Sequence, residues 1–176
     1  MTKQVDFITK YYKDALASEK ETGVPALFTL AQAGLESGYG QNAPGNNFFG
    51  IKANKSWKGK KQLLTTHEVL NTPNYKGFPE IISITPLDSG KYNYRVKDYF
   101  RAYDTIQEGF TDHGNFLKQN HRYSNAFKYT DAKDFASAVA KAGYATAQNY
   151  EQVLHQVIDS IRSNASAIIE ALKKKS

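Results

Sequence analysis

The 176-residue chain has no cysteine, which excludes disulfides, thiolate metal sites and thiol nucleophiles together. Metal chemistry loses a second signature, because His67, His113, His121 and His155 show no ligand spacing of the H-E-x-x-H kind. Neither a G-x-S-x-G elbow nor a phosphate-cradling glycine loop is present, so acyl and phosphoryl transfer lack their usual parts. No apolar run approaches membrane-spanning length, and Met1 to Asp6 lacks the apolar core of a signal peptide. The expectation is a chain with no metal, no organic cofactor and no stable membrane insertion.

What is present reads as one folded domain: 40% hydrophobic and 23% charged residues, with 12 Tyr against 1 Trp. Tyrosine offers a flat apolar face and a hydroxyl, which suits sugar or base stacking as well as a core. The net charge of +6 and pI near 9.3 draw the chain to polyanions. Nucleic acid is not expected as the partner, since no nucleic-acid motif or dense basic helix stripe occurs. The densest basic runs, Lys58-Gly59-Lys60-Lys61 and Lys173-Lys174-Lys175, fit solvated surface and a chain end.

Periodicity predicts helix over Val5 to Lys20, with Ile8, Tyr12, Ala15 and Leu16 inward and Gly23 as the stop. A second helix begins near Pro25, which suits a first turn, and stops at Gly38 and Gly40. Alternation in "KKQLLTTHEV" and "KYNYRVKDYFRAY" predicts two strands, with Leu64, Thr66 and Glu68 on one face of the first. The prolines and glycines between them predict a long connection, with a short strand near Ile81–Ile84. Thr105-Ile106-Gln107-Glu108 is a capping-box pattern opening a helix striped by Ile106, Phe110, His113 and Leu117. Asp131 caps the next, which carries Phe135 and Val139. The last begins near Asn149 and carries Val153, Leu154, Val157, Ile158 and Ile161. The fold class is α+β: a domain over residues 1–163, with 164–176 a helical, basic tail.

Among the carboxylates Glu36 stands apart. A helix C-terminus carries partial negative charge, so a glutamate there is electrostatically misplaced. If Tyr39, Phe48 and Phe49 also wall it, desolvation raises its pKa further, and a proton held near neutrality is what a general acid requires. The alternative is a solvated glutamate on the polar face of the helix, beside Thr29 and Gln32. Glycoside hydrolysis needs a second carboxylate, or help from the substrate's acetamido group. Glu68 is the natural candidate, ahead of Glu80 and Asp88, and it could equally be an ordinary polar residue on an exposed strand face.

The segments "LAQAGLESGYGQ", "NNFFGIKA", "TTHEV", "FRAYDT", "DHGNFL" and "AGYAT…NY" resemble, in that order, the peptidoglycan N-acetylglucosaminidases of glycoside hydrolase family 73. The resemblance covers about Val5 to Ile161. It implies a lysozyme-like fold, mostly helical, with a small β-hairpin lobe as one wall of a cleft. It also implies cleavage of the β-1,4 bond between N-acetylglucosamine and N-acetylmuramic acid in bacterial cell wall glycan. Glu36 would be the general acid, Glu68 the second carboxylate, and Tyr144 a hydroxyl near the reacting sugar. Tyr39 stands where the family often has Trp. Together with Asn47, Phe49, Gly50 and Tyr150 it would contact substrate. The basic charge would then attract wall carboxylates and phosphates. A monomer acting on the cell wall is expected, whether secreted, periplasmic or released by a phage. A muramidase or lytic transglycosylase on the same polymer, or an inactive wall-binding domain, is the alternative. The inverting, retaining and substrate-assisted routes stay open.

Overall fold

The computed structural model describes residues 2–174. The chain forms two compact units: the described residues up to Phe49 together with those from Asp104 onward, and Gly50–Tyr103. Lys175, the end of the predicted basic run, lies outside the described residues.

The first unit is helical: α1 (Lys3–Thr22), α2 (Ala26–Ser37), α3 (Ile106–Gln119), α4 (Ala132–Lys141), α5 (Tyr150–Ser163) and α6 (Ala165–Lys173). α1 begins at Thr2, whose hydroxyl accepts from the Val5 amide, and stops at Gly23 in the left-handed region at φ 79°. Its buried face is rotated from the predicted one. Phe7 and Ile8 are buried, whereas Tyr12 and Leu16 are exposed. The reason is aromatic packing: Phe7 and Tyr11 turn inward onto Phe48, at 6.0 and 5.3 Å between ring centroids. Pro25 sits one residue before the first turn of α2 and offers no side-chain cap. The Glu19 carboxylate supplies one instead, accepting from the Ala26 amide at 2.6 Å.

α2 is surrounded. Nine of its twelve residues are buried, Thr29 and Gln32 among them, so these two members of its polar face meet protein rather than water, while Glu36 at its end is exposed. The downstream helices start where side-chain chemistry puts them. Thr105 and Glu108 form both halves of the capping box on α3, and Asp131 accepts from the Lys133 and Asp134 amides at the head of α4. α5 buries Leu154, Ile158 and Ile161. α6 packs on α1 with Ile168 and Ala171 buried. Between α3 and α4 runs a 3-10 segment, His121–Lys128, that periodicity alone did not predict.

The second unit is a three-stranded antiparallel sheet of β1 (Lys61–Leu70), β2 (Glu80–Pro86) and β3 (Tyr92–Arg101), in the order β1-β3-β2. Along β1 exposure alternates strictly, with Leu64, Thr66 and Glu68 on the half-buried side. Register places Glu68 opposite Tyr94, Thr66 opposite Val96 and Leu64 opposite Asp98. The predicted short strand exists as β2, hydrogen-bonded to β3 through a register shift between Ile81 and Ser83. The stretch before it is fastened as well. The buried Tyr94 hydroxyl donates to the Thr72 carbonyl at 2.7 Å and accepts from the Tyr75 amide at 3.2 Å.

Candidate active site

Glu36 lies in the last turn of α2, and Gln32 lies one turn earlier on the same side. Gln32 has no exposed surface, so both ends of its amide need partners. Its Nε2 donates to the Tyr150 hydroxyl at 2.8 Å, and its Oε1 meets Nε2 of His113 at 2.6 Å. The Tyr150 hydroxyl donates in turn to Glu36 Oε1 at 3.4 Å. One polarity satisfies this chain. The amide oxygen can only accept, so His113 carries its proton on Nε2, and each donor points along the path His113, Gln32, Tyr150, Glu36.

Burial pulls the pKa of His113 down to about 3, so its imidazole is neutral. Its bare Nδ1 is buried with no hydrogen-bond partner, and the ring is held by stacking instead. Phe49 lies parallel at 3.7 Å between centroids and 13° between planes, and Tyr144 meets the ring edge-on at 5.9 Å. Tyr144 also stacks on Tyr150 at 5.8 Å and 14°. The sequence places Tyr144 directly after Gly143, which adopts φ +84° and lies against Arg122. Arg122 donates from Nε to the Ala142 carbonyl at 3.0 Å and from Nη2 to the Gly143 carbonyl at 3.4 Å. A guanidinium fork thus fixes the turn that presents Tyr144.

The electrostatics follow from this packing. Although Glu36 as a whole residue is exposed, neighbouring protein displaces enough water to raise its carboxyl above the ordinary glutamate value. The hydrogen bond from Tyr150 opposes that rise. Burial pushes the Tyr144 hydroxyl up, and the Tyr150 and Glu36 groups push it further. Tyr150 is likewise raised, chiefly by burial. Both phenols are therefore protonated donors beside a carboxyl that holds its proton more firmly than usual.

Glu68 belongs to the second unit. Its Oε1 receives Lys52 Nζ at 2.6 Å, and the same ammonium reaches Asp98 Oδ2 at 3.0 Å. Burial works against the Lys52 charge, but the bonds and charges of Glu68 and Asp98 outweigh it and raise its pKa. Gly50, at φ +62°, also lies in this unit. In the first unit Asn47 is buried. Tyr39 occupies the left-handed region at φ 58° and lays its ring over Gly34, where a Cβ would meet it at 2.9 Å. Its hydroxyl accepts from Gln4 at 3.3 Å and its ring meets Phe7 edge-on at 5.9 Å. Gly34 and Glu36 point to nearly opposite sides of a helix, so Tyr39 packs toward α1 and away from the Glu36 side of α2. Tyr150, by a hydrogen bond, and Tyr144, electrostatically, interact with Glu36, both from the C-terminal part of the chain.

Sequence reasoning thus collected Glu36, Phe49, Tyr144 and Tyr150, which one cluster around His113 joins. It missed Gln32, His113 and Arg122. The i−4 spacing of Gln32 from Glu36 was a usable signal; His113, on an apolar stripe, read as a core residue. Among the described residues no three His, Asp or Glu side chains gather as metal ligands, and no helix is long and apolar enough to cross a membrane.

Residues 12–163 match the protein family described as mannosyl-glycoprotein endo-beta-N-acetylglucosaminidase. The peptidoglycan hydrolase FlgJ of Salmonella typhimurium is 32% identical over 170 residues, covering 93% of this chain and 48% of its own length. The FlgJ of Vibrio parahaemolyticus is 35% identical over 169 residues, covering 89% of this chain and 47% of its own. The chain therefore spans about half the length of these relatives. Among solved structures, the glycoside hydrolase domain of Salmonella typhimurium FlgJ superposes with a TM-score of 0.75 at 29% identity, over 99% of this chain and 98% of that one. The mostly helical fold with a small sheet is shared with that domain.

Proposed function

We propose that this chain, which belongs to the mannosyl-glycoprotein endo-beta-N-acetylglucosaminidase family, hydrolyses bacterial peptidoglycan. The bond cleaved is the β-1,4 bond between N-acetylglucosamine and N-acetylmuramic acid, with Glu36 as the general acid. The substrate class is supported by the likeness to the peptidoglycan hydrolases FlgJ. One observation carries the assignment of the acid: a carboxyl raised by desolvation at the end of a chain of fixed donors.

In this reading the Glu36 proton passes to the glycosidic oxygen as the bond from the sugar C1 breaks. The carboxylate left behind accepts from the Tyr150 hydroxyl, itself braced by Gln32 and His113, so its orientation is set before the reaction begins. Water supplies the hydroxyl that bonds to C1; its proton goes to Glu68 where that carboxylate activates the water, and to Glu36 where Glu68 only stabilises charge. Tyr144, a protonated donor stacked on Tyr150, steadies the acetamido group or the charge developing on the ring. Glu68 is the second carboxylate, oriented by Lys52, and either activates the water or stabilises that charge. Asn47, Phe49 and Gly50 belong to this reading as groove residues, Phe49 through its stack on His113, and Tyr39, whose ring packs toward α1, is left out of it.

Digestion of purified peptidoglycan tests it. The wild type should release new reducing N-acetylglucosamine ends, identified by mass, and Glu36→Gln should lose on the order of 10²–10⁴ in rate. Muramic acid or anhydro ends would replace the proposed bond with the neighbouring one, and activity retained within about tenfold by Glu36→Gln would remove the acid.

A further inference from the structure

The net charge of the chain is unevenly placed. Gly50–Tyr103 carries ten Lys and Arg against four Asp and Glu, while the rest of the chain carries thirteen of each. The whole +6 of the chain therefore belongs to the sheet unit.

Three of the four acids in that unit are already engaged. Glu68 and Asp98 share Lys52 on the half-buried face, and Glu80 pairs with Lys97 at 2.9 Å. On the opposite, exposed face, register aligns Lys61 with Arg101, Thr65 with Lys97, and His67 with Arg95. Lys61 and Arg101 set like charges directly opposite each other, which is destabilising in a sheet, whereas Lys97 is balanced by Glu80. Arg95, Lys97 and Arg101 recur at even steps along β3, Arg95 and Lys97 about 6.8 Å apart with one residue between them and Arg101 about twice as far on.

We infer that this exposed face of the sheet is a docking surface for a phosphodiester-linked polyol chain that carries no bases. A flexible chain of phosphates can follow such a row, and guanidinium and ammonium groups recognise phosphate oxygens. The aromatic chemistry argues against single-stranded nucleic acid, which needs open ring faces for base stacking. Cations already cover the two rings at this face: Arg101 lies 4.3 Å over Trp57 and Lys61 lies 4.2 Å over Tyr99. The surface goes beyond the catalytic reading above. Binding is measured without hydrolysis, so the two stand or fall separately.

The probe is deacylated poly(glycerol phosphate), titrated into the full chain at several salt concentrations. Lys61→Glu/Arg95→Glu should weaken binding by about tenfold or more at low salt and flatten the salt dependence. Lys13→Glu/Lys128→Glu applies the same charge change to exposed positions of the helical unit, and should stay within about twofold of wild type. Equal losses in the two variants would overturn the inference, since net charge alone would then account for binding. Tighter binding of an oligothymidylate than of the polyol chain would overturn it too. Lys61→Gln/Arg95→Gln should reproduce a smaller loss if the glutamate variant fails to fold, and unchanged binding there would also refute the surface.

Discussion

Tyr150→Phe perturbs the Glu36 carboxyl while leaving its surroundings in place. The phenyl ring keeps the stack on Tyr144 at 5.8 Å, so only the hydroxyl is removed. Two hydrogen bonds vanish with it, and they are unequal. The bond from Gln32 is 2.8 Å long and wholly buried; without it an amide N–H has no acceptor, which costs about 1–3 kcal/mol. The bond to Glu36 is 3.4 Å long at a partly open site, and contributes less. For a chain of this size each kcal/mol lowers Tm by about 2–4 °C, so calorimetry should show a fall of about 2–12 °C.

The pH profile carries the second half of that prediction. The Tyr150 hydroxyl favours the ionised form of Glu36 and so lowers its pKa against the stronger effect of desolvation. Removing it lets the pKa rise further. With Glu36 as the proposed general acid, which works while protonated, the alkaline limb of kcat/KM on peptidoglycan should move to higher pH in the variant. The stability sign agrees. Because the folded pKa already lies above the unfolded one, Glu36 costs stability as pH rises through the glutamate range, and Tyr150→Phe should widen that window upward. An alkaline limb that stays in place or moves down would refute Tyr150 as the group that tunes the acid. An unchanged Tm would refute the buried bond to Gln32.

Gln32→Leu strands the His113 N–H and takes a donor from Tyr150, so it should lose about 2–4 kcal/mol in chemical unfolding. His113→Phe added to it should recover part of that loss, and a strictly additive double variant would show that the two side chains are uncoupled. Arg122→Ala releases the Ala142–Gly143 turn and should reduce kcat on peptidoglycan with little change in Tm, because Arg122 is exposed. Arg122→Lys should rescue little, having one point charge in place of a fork; full rescue by Lys would reduce the role of Arg122 to charge alone.

The parts of the fold that the sequence disclosed are those written in local chemistry. Thr105 and Glu108 stand three residues apart and form their capping box with no help from the rest of the chain. Asp131 caps α4 by the same logic, and the alternation of Leu64, Thr66 and Glu68 states which face of β1 is covered. The helical wheel failed at α2 for a definite reason. A wheel assumes that polar residues mark the side toward water, and that holds only for a helix with one solvent side. α2 has protein around it, so Thr29 and Gln32 are polar and buried at once. Tyr39 misled in the same way, because the left-handed turn that follows α2 swings its ring over Gly34 toward α1.

What sets the chemistry of Glu36 is accordingly non-local. Gln32 meets Tyr150 across 118 residues of sequence and His113 across 81, separations that no period or short motif encodes. The carboxyl is raised by burial, and Tyr144, whose stack holds Tyr150, follows the Gly143 turn that Arg122 holds. A helix C-terminus alone would leave Glu36 disfavoured as an anion but fully hydrated, a weak effect in water. Burial by the surrounding protein is the leading cause of the shift. The raised carboxyl is therefore a product of tertiary structure. Substitutions at Gln32 or His113, which carry no proton to substrate, should disturb it as surely as substitutions beside it.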